Sequence, residues 1–227
     1  MFMALLGPSL MCADMGNLKE EVLRLDEAGV DFFHLDVMDG SFVPNFTMGP
    51  DLIRKLREYT DKPFDVHLMI QNPEDHVSLF IDAGANMISV HVESTKHLQR
   101  CLQSIRDRGL KAGVALNPST SLATLEYVLD VTDYITLMTV NPGFAGQKFV
   151  PLMNQKLKNL HSLIENSDYT IDIQVDGNIG YHTIPEVINN GANMLVLGTS
   201  CLFKNEVPFQ ESIKTIRNFI DRQKIQI

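Results

Sequence analysis

The chain has 227 residues, 44% of them hydrophobic, and a formal net charge of −9 at pH 7. This length suits one large α/β domain or two small ones. The acidic balance argues against a nucleic-acid binder, which would need basic patches, and no apolar run approaches the ~20 residues that cross a bilayer. The cysteines are few and widely spaced, which favours a reducing cytoplasm over a disulfide framework.

Apolar strands and amphipathic helices alternate along the whole chain. Strands are predicted at residues 5–10, 31–37, 63–70, 86–91, 111–116, 134–140, 169–175 and 193–197. Helices are predicted to follow them at residues 17–28, 52–59, 73–83, 98–108, 121–129, 149–165, 184–190 and 211–220. Such strict alternation indicates parallel strands joined by right-handed crossovers.

The number of strand–helix units predicts an α/β fold, a single (β/α)8 TIM barrel over residues 1–227. The rival fold, an open doubly wound sheet, usually carries Gly-x-Gly-x-x-Gly after its first strand. Here the first strand ends in Pro8-Ser9-Leu10-Met11, which does not match that pattern. No linker, low-complexity tract or break in composition divides the chain, so one domain is expected.

Four polar side chains fall at the carboxyl ends of predicted strands, where barrels of this kind place their active sites. His34 and Asp36 share one face of the second strand, His67 lies in the last part of the third, and Asp176 directly follows the seventh. Two imidazoles and two carboxylates could surround one divalent ion, and this donor mix suits zinc, iron, manganese or cobalt. Each residue alone could equally be a satisfied core polar group, but chance is a poor explanation for all four.

Glycine-rich loops follow the last three predicted strands. They contain Gly143 to Gly146, Gly177, and Gly198 with Thr199 and Ser200. The loops after strands seven and eight commonly bind phosphate through backbone N–H groups and a helix N-terminus. Turn formation alone would explain any single glycine. Their clustering at one end of the barrel favours a phosphate site.

With these residues in place, the sequence resembles the ribulose-phosphate 3-epimerase family nearly from end to end. The resemblance is carried by Pro8-Ser9-Leu10 with Ala13-Asp14 and by four longer stretches, residues 34–45, 65–69, 140–147 and 175–177. It implies a (β/α)8 barrel that inverts the configuration at C3 of a phosphorylated ketose. It also implies a homo-oligomer, either a dimer or a hexamer.

The same resemblance implies roles for individual residues. One divalent metal ion (zinc, iron, manganese, cobalt or magnesium) would be held by His34, Asp36, His67 and Asp176. Asp36 and Asp176 would also be the catalytic acid/base pair on either side of an enediolate. Substrate contacts are expected from Ser9, His67, Gly143, Phe144, Ala145, Gly146, Asp176, Gly177, Asn178, Gly198 and Thr199. An apolar wall beside the enediolate is expected from Met38, Met69 and Met138.

Several positions depart from the usual pattern of this family and look like its allulose-6-phosphate 3-epimerase branch. They are Cys12, Ala145, Asn178 and residues 198–203. These departures narrowly favour interconversion of D-allulose 6-phosphate and D-fructose 6-phosphate. The alternative is interconversion of D-ribulose 5-phosphate and D-xylulose 5-phosphate, a step of the pentose phosphate pathway.

Two further hypotheses come from other classes. The first is a second kind of enzyme, a phosphate-binding barrel of the decarboxylase or aldolase type. Relatives of orotidine-phosphate decarboxylase carry an Asp-x-Lys-x-x-Asp pattern, whereas Asp36-Val-Met-Asp39 has no lysine, which argues against that chemistry. A barrel that merely binds sugar phosphate would be non-catalytic and would need no metal. The intact set of His34, Asp36, His67 and Asp176 argues against that second hypothesis.

Overall fold

The computed structural model describes residues 4–203 and 207–224, in which eight strands form one parallel sheet. Strands β1 to β8 span Leu5–Pro8, Phe33–Met38, Phe64–Met69, Met87–His91, Lys111–Leu116, Tyr134–Met138, Asp172–Asp176 and Met194–Leu197. Helices α1 to α7 span Leu18–Glu27, Pro50–Leu56, Val77–Asp82, Leu98–Asp107, Met153–Glu165, Ile184–Asn189 and Phe209–Lys224. The predicted single domain over residues 1–227 extends beyond the described residues and stays a prediction.

The sheet curls until its two end strands meet. Its order is β1-β8-β7-β6-β5-β4-β3-β2, so β1 and β2 are the strands that must close the ring. A parallel bridge between Ser9 and His34 joins them, and the N–H of Asp31 donates to the carbonyl of Leu6 at 3.0 Å. The result is a nearly closed barrel surrounded by helices, and the predicted TIM-barrel fold is confirmed.

Strand alternation places polar side chains inside this barrel. All six residues of β2 are buried. Phe33, Leu35 and Val37 belong to the large apolar core between the strands and the helices. His34 and Asp36 therefore point to the other face, the barrel interior, because successive side chains of a strand alternate. Within residues 4–203 and 207–224, no helix combines the length and the apolar composition needed to cross a membrane.

The predicted helix at residues 121–129 was wrong. Two 3-10 turns, Leu122–Leu125 and Leu129–Val131, occupy this stretch instead. The Ser121 hydroxyl accepts the N–H of Ala123 at 3.2 Å, and the Thr124 hydroxyl donates to the Ser121 carbonyl at 2.8 Å. These short polar side chains bind the neighbouring backbone and stabilise tight turns in place of an α-helix.

Other boundaries differ by a few residues. The strand predicted at residues 5–10 ends at Pro8, and a 3-10 turn over Leu10–Cys12 follows it. The helix predicted at residues 149–165 begins at Met153, because the Val150 N–H donates to the Thr139 carbonyl at 2.8 Å and a proline follows it. Both predicted elements are therefore present, but each is shorter than predicted on the side where a loop meets the rim of the barrel.

We expect Gly113→Ala to destabilise the barrel by about 1–3 kcal/mol or more, because the interior has no room for a methyl group at β5. A Cβ there would lie 2.3 Å from the ring of Tyr134, which is fully buried and donates its hydroxyl to Asp65 at 2.6 Å. Urea unfolding measures the effect. Gly16→Ala is the control, since Gly16 lies in an exposed loop. Equal unfolding midpoints for the two variants would contradict this account.

Candidate metal centre and substrate cleft

Four side chains from three strands converge at one end of the barrel. β2 supplies His34 and Asp36, β3 supplies His67 in register beside Asp36, and β7 supplies Asp176. The Asp36 carboxylate lies 3.3 Å from Nε2 of His34 and 3.5 Å from Nδ1 of His67. The Asp176 carboxylate lies 3.8 Å and 3.7 Å from the same two nitrogens. All four ligand atoms lie within 4.8 Å of one another, so the structure brings the predicted set together.

Two ring nitrogens in this cluster lack hydrogen-bond partners. Nε2 of His34 and Nδ1 of His67 are buried, and neither forms a hydrogen bond within the described residues. An unsatisfied polar atom in a protein interior is costly and requires an explanation. A divalent cation would accept both lone pairs, and nitrogen and carboxylate donors of this kind suit zinc, iron, manganese or cobalt. The cluster could therefore hold a metal ion.

The far side of His34 is fixed by a buried carboxylate. Nδ1 of His34 lies 2.8 Å from Asp65, which also accepts the hydroxyl of Tyr134 at 2.6 Å and the amide of Gln174 at 2.7 Å. Burial opposes ionisation of Asp65, but these hydrogen bonds outweigh it and lower its pKa. Asp65 was not among the site residues predicted from the sequence. Its spacing of two from His67 was the available signal, since both must face the barrel interior.

The far side of His67 is fixed by a second imidazole. Nε2 of His67 lies 2.9 Å from Nε2 of His91, and Nδ1 of His91 lies 3.0 Å from Glu93. Burial lowers the pKa of His91 to about 4, which leaves this ring neutral. Burial raises the pKa of Glu93, but hydrogen bonds from His91 and Thr120 reverse the effect and lower it to about 2. His91 is the last residue of the strand predicted at residues 86–91, but neither group was predicted to be a site residue.

The two carboxylates of the cluster have opposite pKa shifts. Burial raises the pKa of Asp36, but His34 and His67 outweigh this effect and hold it below its ordinary value. Burial and the nearby Asp36 charge raise the pKa of Asp176 to about 7. Near neutral pH, and without a bound metal, Asp36 is therefore ionised while Asp176 can carry a proton. Such a pair can give and receive protons at one substrate.

A cleft of about 530 Å³, partly open to solvent, lies above the cluster. Ser9 lines it and donates to the second Asp36 oxygen at 2.5 Å. The other predicted residues that line the cleft are Asp36, Met38, Met69, Met138, Gly143, Phe144, Ala145, Gly146, Asp176, Gly177, Asn178, Gly198 and Thr199. His34 and His67 are fully buried. Lining residues that the sequence analysis did not name as site residues are Met11, Cys12, Val140, Asn141, Pro142, Gln147, Val196 and Ser200.

The side chain of Asn178 helps to join the loops after β6 and β7. Gly177 has φ of +118°, and a Cβ there would lie 2.6 Å from Val140. Asn178 has φ of +56°, a left-handed conformation that asparagine tolerates better than most residues. Its side-chain amide donates to the carbonyl of Gln147 at 2.6 Å. The structure thus gives Asn178 a role in holding two rim loops together.

A helical turn begins directly after β8. The carbonyl of Gly198 accepts the N–H of Leu202 at 3.1 Å, which leaves the N–H groups of Thr199 and Ser200 at the start of the turn. Thr199 and Ser200 both line the cleft. A turn start of this kind attracts anions, because its N–H groups carry partial positive charge. The rim beside Ser9, where β1 pairs with β8, therefore offers features that could bind phosphate.

Comparison with known proteins agrees with this geometry. The family model described as the ribulose-phosphate 3 epimerase family matches residues 5–203. A ribulose-phosphate 3-epimerase from Synechocystis is 46% identical over 214 residues, which cover 93% of this chain and 92% of that protein. One from Bacillus subtilis is 45% identical over 195 residues, which cover 86% and 90%. None of these matches distinguishes the allulose branch.

Solved structures support the fold independently. The 3-keto-L-gulonate-6-phosphate decarboxylase from Vibrio cholerae has a TM-score of 0.71 to this chain at 12% identity, covering 98% of this chain and 99% of the other. At such low identity this likeness concerns the fold alone. The family match and the two relatives go further, and by them the chain belongs to the ribulose-phosphate 3-epimerase family.

Proposed function

We propose that this chain is a metal-dependent ribulose-phosphate 3-epimerase that interconverts D-ribulose 5-phosphate and D-xylulose 5-phosphate. Its predicted enzyme class, an isomerase acting on phosphorylated ketoses, follows from the family. The observation that carries the proposal is the pair Asp36 and Asp176. These carboxylates have opposite pKa shifts and adjoin two unpartnered imidazole nitrogens under a cleft.

The reaction inverts C3 by removing its proton from one face and adding a different proton to the other face. The C3 hydrogen is acidic only because C2 is a carbonyl, and its loss leaves an enediolate with negative charge on the C2 oxygen. A divalent metal, when bound by His34, Asp36, His67 and Asp176, supplies Lewis-acid stabilisation of that charge. Its identity among zinc, iron, manganese, cobalt and magnesium stays open. The other steps of the mechanism are assigned to side-chain and backbone groups of this chain.

The two aspartates divide the proton transfers between them. We assign Asp36 as the base that accepts the C3 proton and Asp176 as the acid that gives a proton to the opposite face, as their opposite pKa shifts in the metal-free site suit. The Ser9 hydroxyl restrains Asp36 through its second oxygen. In the reverse direction the two carboxylates exchange roles. Because each carboxylate serves one face of C3, the configuration at C3 is inverted, and the proton is not merely exchanged with solvent.

The rest of the cleft positions the substrate and limits water. We assign phosphate binding to Gly177, Asn178, Gly198 and Thr199, because backbone N–H groups at such a rim favour anions. Residues 143–146 would cover the sugar from the β6 side. Met38, Met69 and Met138 are almost fully buried, and they present an apolar wall to the reacting carbons.

The pentulose is favoured over the hexulose for two reasons. The two relatives compared above are both named ribulose-phosphate 3-epimerase. In addition, Asn178 was one of the departures that favoured D-allulose 6-phosphate, and its left-handed φ and its bond to Gln147 give it a structural reason of its own. The narrow sequence-based preference for the hexulose therefore loses one of its main supports.

Side-by-side kinetics test the substrate assignment. We expect kcat/KM for D-ribulose 5-phosphate to exceed that for D-allulose 6-phosphate by about 10–200-fold, the usual effect of one carbon in a fitted pocket. The measurement uses the metal-loaded chain and both phosphates at subsaturating concentrations. A preference for D-allulose 6-phosphate would instead support the sequence-based prediction. Phosphate binding without turnover of either ketose would favour a non-catalytic barrel.

A further inference from the structure

We infer that His91 and Glu93 are positioning residues that fix the tautomer of His67, so that its Nδ1 presents a lone pair to the candidate metal centre. The inference rests on the proposed function, which makes His67 a metal ligand. It concerns a chain of three groups that runs from the cluster toward the surface. The Glu93 side chain, at its outer end, is 22% exposed, whereas His67 and His91 are fully buried.

The hydrogen-bond chain has only one consistent arrangement of protons when both imidazoles are neutral. An ionised carboxylate can only accept, so Nδ1 of His91 must carry the hydrogen that points to Glu93. Nε2 of His91 is then bare and must accept from Nε2 of His67, 2.9 Å away. His67 therefore carries its proton on Nε2. Its Nδ1 is left as a lone pair, and this is the atom that lacks a partner in the cluster.

Glu93 is held in its accepting role by its other oxygen. Oε1 accepts the backbone N–H of Asn117 at 2.8 Å and the hydroxyl of Thr120. These donors stabilise the ionised form and point Oε2 at His91. The ring of His91 has the Phe42 ring centroid 4.7 Å away and lies at only 23° to the plane of its hydrogen-bonded partner, His67. Both the direction of the proton and the plane of the ring are therefore constrained.

The two histidines of the cluster are oriented by different means. His34 contacts Asp65 directly through Nδ1, so its free atom is Nε2. On the side facing away from the cluster, His67 reaches a carboxylate through His91, and its free atom is Nδ1. A carboxylate or carbonyl behind a ligating imidazole commonly sets its tautomer and raises its basicity. Because His91 lies between them, Glu93 sets the tautomer of His67 from a distance. Glu93 can therefore be substituted without changing a residue that faces the metal site.

Glu93→Gln in the full-length, metal-stripped chain tests the inference. If the amide oxygen keeps the contacts with Asn117 and Thr120, the amide nitrogen faces His91 and can only donate. Both hydrogen bonds, from residue 93 to His91 and from His91 to His67, then run in the opposite direction. His67 carries its hydrogen on Nδ1, where it points into the cluster. We expect the affinity for Co²⁺, measured against a competing chelator, to fall by about 10–100-fold. We expect ¹⁵N NMR of the metal-free protein to show His67 changing from the Nε2–H to the Nδ1–H form.

Two matched variants separate positioning from mere support of the loop. Thr120→Val removes a donor to the other Glu93 oxygen and leaves the His91 contact, so tautomer and affinity should stay as in the unaltered chain. Glu93→Asp retains an accepting carboxylate and should retain the original tautomer. The inference is overturned if Glu93→Gln changes neither readout, or if Thr120→Val lowers the affinity equally. Should His67→Ala keep full Co²⁺ affinity, the proposed metal centre fails instead, while the NMR readout still tests the positioning.

Discussion

Replacing Asp36 or Asp176 by asparagine is expected to lower kcat by at least ~10²-fold, the usual contribution of one general acid or base. Asparagine keeps the shape of the side chain but can neither accept nor hold the proton that moves at C3. Because Asp36 is ionised and Asp176 can be protonated, the two changes remove opposite partners of one transfer. Each variant should therefore be nearly inactive in both directions of the reaction.

Solvent exchange identifies which step is lost. Turnover is followed in deuterated water, where the unaltered chain should place deuterium at C3 of the substrate and both variants should do so far more slowly. Asp51→Asn is the matched control, because the Asp51 side chain lies on the surface, 98% exposed. Near-normal turnover in either cluster variant would reject the scheme with two aspartates. Fast exchange without inversion would show that only the second transfer had failed.

Loss of an imidazole from the cluster should abolish metal binding. We expect His67→Ala to reduce the bound metal from one ion per chain to a trace and to reduce turnover to background. The change removes a fully buried donor, and its atom Nδ1 already lacks any hydrogen-bond partner among the described residues. Elemental analysis of the purified protein measures the metal directly. A chelator should inactivate the unaltered chain in the same way.

A surface histidine provides the comparison for this experiment. His97 is exposed just before α4, so His97→Ala should leave metal content and chelator sensitivity unchanged. Full activity of metal-free, chelator-treated protein would contradict the metal centre altogether. Metal retained by His67→Ala with activity lost would indicate that His67 acts on the substrate only. Both results can be read from the same preparations.

The sequence was sufficient to predict the fold and the convergence of the main cluster. Parallel strands in a closed barrel end at one rim, so residues at the ends of β2, β3 and β7 must meet there whatever the loops do. His34, Asp36, His67 and Asp176 could therefore be placed together from hydrophobic patterning alone. The cytoplasmic location and the homo-oligomer, a dimer or hexamer, stay predictions.

The hydrogen-bond partners of the cluster were harder to predict. Alternation along a strand shows on which face a side chain lies but not which other side chain it contacts. Asp65 shares a face with His67, yet it binds His34 on the neighbouring strand. The role of Glu93 depends on a second imidazole, His91, lying between it and the cluster. Hydrogen-bond direction along such a chain is set by three-dimensional distances. No spacing in the sequence encodes it.

Loop residues were the weakest part of the sequence-based interpretation. The departure at Asn178 predicts a longer substrate, but the sequence alone cannot show whether the asparagine is there for the substrate or for the conformation of the turn. The left-handed φ of Asn178 and its bond to Gln147 supply the second reason. The failed helix at residues 121–129 has a similar origin. In both places short polar side chains bind nearby backbone groups, and this competes with any pattern of apolar residues.

The buried polar side chains beneath the cluster restrict how this barrel can evolve. Asp65 is bound by Tyr134 and Gln174, and Gln174 in turn accepts the hydroxyl of Thr136 at 2.7 Å. Altering one member leaves the others without hydrogen-bond partners and lowers stability by about 1–3 kcal/mol for each buried group so affected. Replacing all of them together can be nearly neutral. No single substitution can therefore leave this arrangement without that loss of stability. Lineages that keep His34 in place are expected to inherit the four side chains as a block.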